Sequence, residues 1–466
     1  MENYHIEDKL GEECGIFGGF ATAGDIRFII RNGLFKLQHR GQESAGISCG
    51  EDTQTLVKAR GLVMQALTDD AIAKAPGRFG IGHVRYPSNV HITAVNAQPY
   101  LITYLEENVA IAMNGHVKKA SKIREKFERI GEIFITSSNS EVILKRIVFG
   151  LRKPPSQWTF EEIGHHLGED FSSGGYSLVL SLPQRIVAYR DPIGYRPLVM
   201  CEAEEGYFVA SEDIAFTSLN VKKIVEIMPG EGVEITEHGY KIAKYCEPKK
   251  EEERKCVFEH IYFAHPASNI FDRNVYMTRV ELGRRLAENE TVTPDVVVPV
   301  VDSGLASAIG YSLKSGIPMQ MGLLRNLWVG RSFIAPQTSR AHIAREKLIP
   351  NKAVVNGKKV VLIDDSLVRG TTAKEIVNMC RQVGAKEVHL RLASPMILNI
   401  CSWGVSIPTT DELIAVQMET EERIAKEIGA DSVRFLPLNK LKEIFGEKGW
   451  CYWCFNKKVQ DKKDKV

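Results

Sequence analysis

Apolar and polar positions alternate in short segments through the first half of the chain. Apolar runs of strand length, at residues 16–20, 109–113 and 176–182, are bounded by Gly, Asn and Pro. Longer segments with apolar residues at helical spacing, residues 26–39 and 140–151, lie between them. Because strands occur in runs and helices in clusters, this half is predicted to be a layered α+β domain rather than an alternating one.

The pattern changes after a strongly charged stretch at residues 241–255, KIAKYCEPKKEEERK, which predicts an exposed linker between two halves of similar size. Beyond it, residues 296–300 and 359–363 are continuous apolar runs, each followed by a polar turn and a helical pattern. Strands that are buried on both faces of a parallel sheet have this pattern. The second helix is expected to begin near Thr371 and to be capped at its C-terminus by Gly384.

Composition narrows the class of protein without naming a function. The 466 residues suffice for two or three domains with separate cores. Sixty Lys and Arg against 58 Asp and Glu leave a net charge of +2, which argues against a nucleic-acid or anionic membrane partner. No apolar run is long enough for a membrane helix, and the acidic residues 1–13 do not resemble a secretory signal. Nine scattered cysteines therefore suggest a reducing, cytoplasmic environment rather than a disulfide framework.

The clearest chemical motif is the stretch DDSLVRGTT at residues 364–372, directly after an apolar run. Two adjacent acids at the carboxyl end of a strand, Asp364 and Asp365, are suited to ribose hydroxyls or a hard divalent cation. The Gly and the hydroxyl residues that follow, at a helix N-terminus, favour a phosphate because backbone N–H groups and the helix dipole attract it. A surface turn with an N-capping Thr is the alternative interpretation.

This stretch resembles the phosphoribosyl pyrophosphate (PRPP) loop of the type I phosphoribosyltransferases, whose fold is a doubly wound parallel sheet. The resemblance implies that Asp364 and Asp365 hold the ribose and Mg²⁺, with Ser303 of VVPVVDSGLASAIGY near the metal. Residues 322–348 resemble the mobile loop that closes over PRPP, and its cations could neutralise the leaving pyrophosphate. The PRPP-binding residues that the resemblance implies are Asp364, Asp365, Ser366, Arg369, Gly370, Thr371, Thr372, Arg331 and Lys347.

In the first half, EECGIFGGF around Cys14 is followed by QHRGQESAGI, GHVRYPS, NAQPY, MNGHV and RDPIGYRPL. In this order they resemble the class II glutamine amidotransferases, which are N-terminal-nucleophile (Ntn) hydrolases built as an αββα sandwich. The resemblance implies that Cys14 attacks the glutamine amide with its own α-amine as base, so that the bond between Glu13 and Cys14 is cleaved. It also implies that Arg85 holds the substrate carboxylate, and that Asn114 and the N–H of Gly115 form the oxyanion hole.

One position departs from this family. The segment SSNSEV, residues 137–142, has Asn139 where the family carries an Asp that pairs with the ammonium of glutamine. An amide oxygen still accepts a hydrogen bond, but the negative charge is lost, so we expect glutamine binding to be weaker by about 1–3 kcal/mol. His116, beside the oxyanion hole, is a smaller departure.

Cys451 and Cys454 form a C-x-x-C motif, which is a weak signal alone because redox and zinc sites also use it. Over about residues 12–456 the chain resembles the glutamine PRPP amidotransferases and, more narrowly, their iron–sulfur-containing branch. In that branch four cysteines hold a 4Fe–4S cluster, and the matching positions are Cys256, Cys401, Cys451 and Cys454. A tetrahedral zinc site is the rival interpretation.

The resemblance implies an α/β and α+β enzyme that combines an Ntn-hydrolase αββα sandwich with a doubly wound phosphoribosyltransferase. Residues 1–13 would be a propeptide, 14–245 the glutamine amidotransferase domain, 256–437 the phosphoribosyltransferase domain, and 438–466 a cluster-binding extension and tail. Such an enzyme would transfer ammonia from glutamine to Mg²⁺-bound PRPP and give 5-phosphoribosylamine, the first step of purine synthesis. It would be a homotetramer or homodimer that purine nucleotides inhibit. Three alternatives stay open: an ammonia-dependent transferase with an impaired glutaminase, a non-catalytic PRPP-binding regulator, and a scaffold protein.

Overall fold

The computed structural model describes residues 14–86, 94–248, 253–288, 290–326, 347–401, 403–405 and 409–456. The expected propeptide, residues 1–13, and Arg331 of the expected mobile loop lie outside these ranges. Among the helices within them, none has the length and apolar character that crossing a bilayer requires.

The first half forms two antiparallel sheets, with strand orders β11-β9-β10-β1-β4-β2-β3 and β13-β12-β8-β7-β6-β5. The strands are β1 (Gly15–Ala21), β2 (Ser44–Gly50), β3 (Gln54–Arg60), β4 (Phe79–Arg85), β5 (Tyr100–Tyr104), β6 (Glu107–His116), β7 (Gly175–Leu182), β8 (Arg185–Arg190), β9 (Val199–Ala203), β10 (Gly206–Ala210), β11 (Val221–Glu226), β12 (Glu231–Thr236) and β13 (Gly239–Lys244). The helices are α1 (Ile26–Lys36), α2 (Val63–Ala66), α3 (Asp69–Ile72), α4 (Ala120–Arg129), α5 (Asn139–Leu151) and α6 (Phe160–Phe171).

Alternation along β1 shows how these elements stack in layers. Ile16 and Phe20 belong to the core between the two sheets, whereas Phe17 packs on the opposite face, under α1. In the second sheet, Ala110 and Ala112 of β6 face the first sheet, and Ile111 between them packs toward α5 and α6. The order of layers is therefore helix, sheet, sheet, helix, and the expected αββα sandwich is confirmed.

Two details of the first half differ from the expectations. The helix expected over residues 26–39 ends at Lys36, and a separate 3₁₀ turn, Gln38–Arg40, carries Arg40 into the protein interior. The stretch expected to be a linker from residue 241 begins inside β13, whose lysines lie on an edge strand. Charged side chains are common on such edges because they prevent further strand pairing, which explains why this strand was mistaken for linker sequence.

The second half contains a parallel four-stranded sheet, in the order β17-β20-β21-β22. Its strands are β14 (Arg254–Cys256), β15 (Asn269–Ile270), β16 (Arg273–Asn274), β17 (Val296–Pro299), β18 (Leu323–Arg325), β19 (Leu348–Pro350), β20 (Lys359–Asp364), β21 (Glu387–Leu392), β22 (Ser432–Phe435) and β23 (Gly449–Cys451). Its helices are α7 (Val275–Leu286), α8 (Leu305–Ser315), α9 (Lys352–Val355), α10 (Thr371–Gln382), α11 (Ile414–Met418), α12 (Glu421–Ile428) and α13 (Leu438–Phe445).

Helices cover both faces of this sheet. Val361 and Ile363 of β20 pack toward α7 and α8, whereas Val360 and Leu362 pack toward α10 and α12. The continuous apolar run therefore reflects burial on both faces, and the expected doubly wound parallel sheet is confirmed. The helix after β20 begins at Thr371, as predicted, and Gly384 follows its end with a φ of 98°.

Candidate active sites

Cys14 directly precedes β1 and lies next to the end of β4, because these two strands are antiparallel neighbours. Arg85, the last residue of β4, is therefore beside it. Burial raises the pKa of the Cys14 thiol, while the charges of Arg85 and Arg40 and the backbone N–H of Tyr86 act in the opposite direction. A thiol that burial keeps protonated needs a base before it can act as a nucleophile.

The Asn114 side chain on β6 is fully buried, and neither its Oδ1 nor its Nδ2 has a hydrogen-bond partner among the described residues. A buried polar group left without a partner costs about 1–3 kcal/mol, so each such group needs a physical reason, of which a catalytic role is one. The next residue, Gly115, has a φ of 124°, and a Cβ there would lie 2.0 Å from the carbonyl oxygen of Gly175. Only glycine fits this position, and the amide of Asn114 is available for an oxyanion.

A hydrogen bond links the strands that carry these residues. His83 of β4 contacts the carbonyl oxygen of Met113 through Nε2 at 3.1 Å, which holds β4 against β6 just before Asn114. Burial lowers the pKa of His83 to about 3, so this imidazole is neutral and structural. The guanidinium of Arg85 donates to the carbonyl oxygen of Asn96, and its Nε lies 4.0 Å from the Glu43 carboxylate.

The two departures from the amidotransferase pattern contact each other. Nδ2 of Asn139, the first residue of α5, donates to Nδ1 of His116 at 2.9 Å. This bond requires a neutral imidazole with an unprotonated Nδ1. The pKa of His116 lies below its ordinary value, chiefly because the ring is buried and secondly because of the positive charge of Lys118. Asn139 and the expected oxyanion residues, Asn114 and Gly115, are thus neighbours, since His116 follows Gly115 directly.

In the second half, the predicted PRPP loop follows β20 at the carboxyl edge of the parallel sheet. Asp364 and Asp365 are both buried, and Ser303, in the loop after β17, donates to Oδ1 of Asp364 at 3.4 Å. Ser366 donates to Oδ2 of Asp365 at 2.6 Å. The structure therefore brings together the three residues that were expected near Mg²⁺, and oxygen ligands of this kind suit a hard cation.

The rest of the loop leads into the N-terminus of α10. Gly370 has a φ of 86°, and Thr371 and Thr372 form the first turn of the helix, where backbone N–H groups attract a phosphate. Arg369 is held by the Glu412 carboxylate in the structure. Lys347 stands at the base of the expected mobile loop, where β18 and β19 pair as an antiparallel ribbon.

The four predicted cluster ligands converge at the junction of the two halves. The parallel pairing of β14 with β23 sets Cys256 beside Cys451. The Cys454 thiol donates to the sulfur of Cys401, as does the backbone N–H of Trp403, at 3.3 Å. The bond from Cys454 is the main cause that lowers the pKa of Cys401 below its ordinary value, which favours a thiolate.

Within the described ranges, no group of three or more His, Cys, Asp or Glu side chains is close enough to hold a metal ion as the side chains stand. The donor set nevertheless fits a metal that prefers sulfur, since four cysteines influence one another's pKa and one of them is prone to ionise.

A buried charge network was not predicted from the sequence. Arg40, Arg196, Glu212 and Glu259 are all fully or almost fully buried, and Glu259 contacts both arginines. Arg40 and Arg196 lie inside two of the motifs quoted above, QHRGQESAGI and RDPIGYRPL. The residue types in these motifs do not indicate that Glu259, in the other half, is a partner of either arginine. Their spacing in the sequence therefore could not predict the network.

Comparison with known proteins agrees with this geometry. The chain is 41% identical over 458 residues to a chloroplastic amidophosphoribosyltransferase of Glycine max, covering 97% of this chain and 79% of that protein. It is 39% identical to the amidophosphoribosyltransferase of Methanocaldococcus jannaschii, covering 95% of this chain and 96% of the relative. This chain belongs to the amidophosphoribosyltransferase family. A family model described as a glutamine amidotransferase domain matches residues 88–218.

Solved structures show the same relationship over the whole chain. The glutamine PRPP amidotransferase from B. subtilis, complexed with ADP and GMP, superposes with a TM-score of 0.85 at 36% identity, covering 95% of this chain and 96% of that one. A structure described as the allosteric regulatory enzyme of purine biosynthesis superposes with a TM-score of 0.86 at 36% identity, covering 97% and 98%. The chain is thus an enzyme of this family, with a glutamine amidotransferase unit and a phosphoribosyltransferase unit.

Proposed function

We propose that this chain releases ammonia from glutamine at Cys14 and transfers it to PRPP at the Asp364–Asp365 loop, forming 5-phosphoribosylamine, glutamate and pyrophosphate. This is the first step of purine synthesis. The observation that carries the proposal is that one chain holds two separate sites. One has the buried, unpartnered amide of Asn114 on a strand that His83 joins to β4, the neighbour of Cys14, and the other is a carboxylate loop at the edge of a parallel sheet. Residues 14–245 form the glutaminase domain, residues 256–437 the transferase domain, and residues 438–466 the extension that completes the cysteine cluster.

In the glutaminase reaction, Cys14 is the nucleophile. Cleavage after Glu13 removes residues 1–13 and frees the α-amine, which takes the thiol proton as the sulfur attacks the amide carbon. The Asn114 side chain and the Gly115 N–H stabilise the oxyanion, and Arg85 holds the substrate carboxylate. Ammonia departs with the proton, and water then hydrolyses the thioester to release glutamate.

Asn139 contributes an oriented amide at the glutamine site. Because Nδ2 donates to His116, its Oδ1 is directed away from that ring and can accept from the substrate ammonium. This arrangement replaces a full charge by a dipole, so glutamine binds more weakly than it would opposite a carboxylate.

In the transferase reaction, ammonia passes internally to the second site, its nitrogen forms a bond to C1 of PRPP, and the bond from C1 to the pyrophosphate oxygen breaks. The N-terminus of α10, with Gly370, Thr371 and Thr372, binds the 5-phosphate. Ser303, Asp364 and Asp365 would hold Mg²⁺, which would supply charge neutralisation of the pyrophosphate. Further contacts to PRPP come from Ser366, from Arg369 after it leaves Glu412, and from Arg331 and Lys347.

The cysteines Cys256, Cys401, Cys451 and Cys454 hold a 4Fe–4S cluster in this proposal, with zinc as the rival metal. The cluster would supply a structural cross-link between the start of the second half and its C-terminal extension, because these cysteines come from separate segments. Purine nucleotides inhibit the enzyme, as the ADP and GMP in the B. subtilis structure suggest. We further propose a cytoplasmic homotetramer or homodimer.

The function is tested by comparing two nitrogen sources. With PRPP and Mg²⁺, purified protein is supplied with glutamine or with ammonium chloride, and glutamate, pyrophosphate and phosphoribosylamine are measured. Product from both sources supports the proposal. Product from ammonium chloride alone identifies the ammonia-dependent alternative that Asn139 motivates, whereas PRPP binding without turnover identifies a regulator. Failure to bind PRPP with Mg²⁺ would overturn the assignment and leave the scaffold alternative.

A further inference from the structure

A continuous set of contacts runs from the nucleophile into the second half of the chain. Nε of Arg40 donates to the carbonyl oxygen of Cys14 at 3.2 Å. The same guanidinium forms two bonds to the Glu259 carboxylate, from Nη1 at 3.0 Å and from Nη2 at 2.9 Å. A bidentate bond of this kind fixes the plane of the guanidinium, and therefore the direction of its Nε. Glu212 of the first half also accepts from Nη1 of Arg40, so the position of Cys14 depends on two carboxylates, one of which, Glu259, lies beyond the glutaminase half.

A second series of contacts connects the Glu259 carboxylate to the proposed oxyanion hole. Oε1 of Glu259 lies 3.6 Å from Nη1 of Arg196, and Nη2 of Arg196 donates to the carbonyl oxygen of Trp403 at 2.6 Å. The next residue, Gly404, lies directly against Gly115, because a Cβ on Gly404 would be 3.1 Å from both Cα and C of Gly115. The backbone on which the oxyanion N–H stands is therefore supported from the second half as well.

We propose that Glu259 and Gly404 are positioning residues for glutamine hydrolysis: Glu259 orients Cys14 through Arg40, and Gly404 supports the Gly115 backbone. The inference rests on the proposed function and deepens it, because the glutaminase site is then completed by residues of the transferase half. A displacement of about 1 Å at a reacting group can cost on the order of 100-fold in rate, so small changes at these contacts have large effects.

The charges of the buried network formed by Arg40, Arg196, Glu212 and Glu259 indicate how a substitution of Glu259 should change the reactivity of Cys14. Glu259 and Glu212 balance Arg40 and Arg196 in a region from which water is excluded. If Glu259 loses its charge, the positive charge of Arg40 is less compensated and stabilises the Cys14 thiolate more strongly. The thiol then becomes more reactive toward a simple alkylating agent while it becomes worse placed for glutamine. A merely structural role for Glu259 would not separate these two rates.

The first test substitutes Gly404→Ala, with Gly429→Ala as a matched control. Both glycines have a positive φ, 111° and 76°, but a Cβ at Gly429 meets no atom within 4 Å. Gly404→Ala is expected to lower glutamine-dependent kcat by about tenfold or more, with ammonia-dependent phosphoribosylamine formation changed less than about twofold. Gly429→Ala should leave both activities near the wild-type values. Equal glutaminase activity in the two folded variants would overturn the role of Gly404.

The second test substitutes Glu259→Gln, with Glu290→Gln as the control. Glu290 is a carboxylate of the second half whose side chain is 8% exposed, and it accepts two bonds from an arginine, Arg391, at 2.7 and 3.0 Å. Glu259→Gln should lower glutamine kcat/KM by about tenfold or more and raise the rate of Cys14 alkylation by iodoacetamide, read by peptide mass mapping. Glu290→Gln should change neither rate, although this variant is also expected to be less stable than the wild-type protein.

Alkylation needs no glutamine turnover, so the two kinds of failure can be distinguished. A wild-type protein without glutaminase activity contradicts the proposed function, and the alkylation rate of Glu259→Gln still tests its role at Cys14. A wild-type protein with glutaminase activity, together with unchanged glutamine kinetics in folded Glu259→Gln and Gly404→Ala, contradicts this inference alone. If Glu259→Gln does not fold, the glutaminase activity of Gly404→Ala, compared with that of Gly429→Ala, tests the inference.

Discussion

The substitution Asn139→Asp is expected to strengthen glutamine binding. It places a carboxylate of the same size at the first position of α5, where the helix dipole favours negative charge. Two opposite unit charges 4 Å apart attract by about 1 kcal/mol in water and about 4 kcal/mol near a protein surface. Because Asn139 is only partly buried, we expect an intermediate gain of about 1–3 kcal/mol, which is about a 5- to 150-fold decrease in the KM for glutamine.

The same substitution should change the pH dependence of the KM for glutamine. In the wild-type chain His116 must be neutral to accept from Asn139, and its pKa lies below the ordinary value of 6.5. As the pH falls through that lowered pKa, Nδ1 takes a proton and the amide must turn its oxygen toward the ring. Its NH₂ group then faces the substrate ammonium, so the wild-type KM should rise at acid pH. A carboxylate accepts from a protonated His116, so Asn139→Asp should show a smaller rise.

The assay is the initial rate of glutamate formation against glutamine concentration, with saturating PRPP and Mg²⁺, at several pH values. Asn351→Asp is a suitable control because it makes the same change at the N-terminus of α9, outside the glutaminase half. The ammonia-dependent rate should be unchanged in both variants. An unchanged or higher glutamine KM in Asn139→Asp, with the ammonia-dependent rate intact, would refute the assignment of Asn139 to the ammonium site.

Three further substitutions separate the remaining parts of the site. Cys14→Ala should abolish glutamine-dependent product formation and leave ammonia-dependent formation intact, because the two reactions use separate residues; equal loss of both rates would contradict this. Asp365→Asn should weaken PRPP and Mg²⁺ binding and lower both activities by about tenfold or more, since a buried carboxylate is removed from the proposed cation site. Unchanged PRPP titrations would remove Asp365 from that site. Cys454→Ser should lower the bound iron and the thermal stability together, because one of four thiolates is lost; bound zinc and no iron in the wild-type protein would favour the rival metal site.

Contiguous features of the sequence predicted the strand and the carboxylate loop of the transferase half. The apolar run at residues 359–363 and the acidic stretch after it are adjacent in sequence, so a strand that ends in a carboxylate loop follows directly from the pattern. The pattern of short apolar runs predicted a layered α+β domain, the αββα order followed from the family resemblance, and the two faces of β1 and β6 in the structure agree with that order. The charged edge strand β13 was mistaken for linker sequence, because lysines are common in both.

Contacts between distant segments could not be predicted in this way. In the sequence Asn139 and His116 are separate departures from the family pattern, whereas their hydrogen bond depends on how α5 packs beside β6. Arg40 and Glu259 are 219 residues apart, and their bond depends on the docking of the two halves. Residue types reveal what a side chain can bind, whereas only the packed structure reveals its partner.

The central claim is that nitrogen released from glutamine at one site is used on PRPP at the other. It is tested most directly with amide-¹⁵N glutamine and PRPP in the presence of excess unlabelled ammonium, with the phosphoribosylamine trapped and analysed by mass spectrometry. The account predicts ¹⁵N in the product, formed in proportion to glutamate, in spite of the unlabelled pool. Product carrying only unlabelled nitrogen, with no glutamate formed, would contradict it.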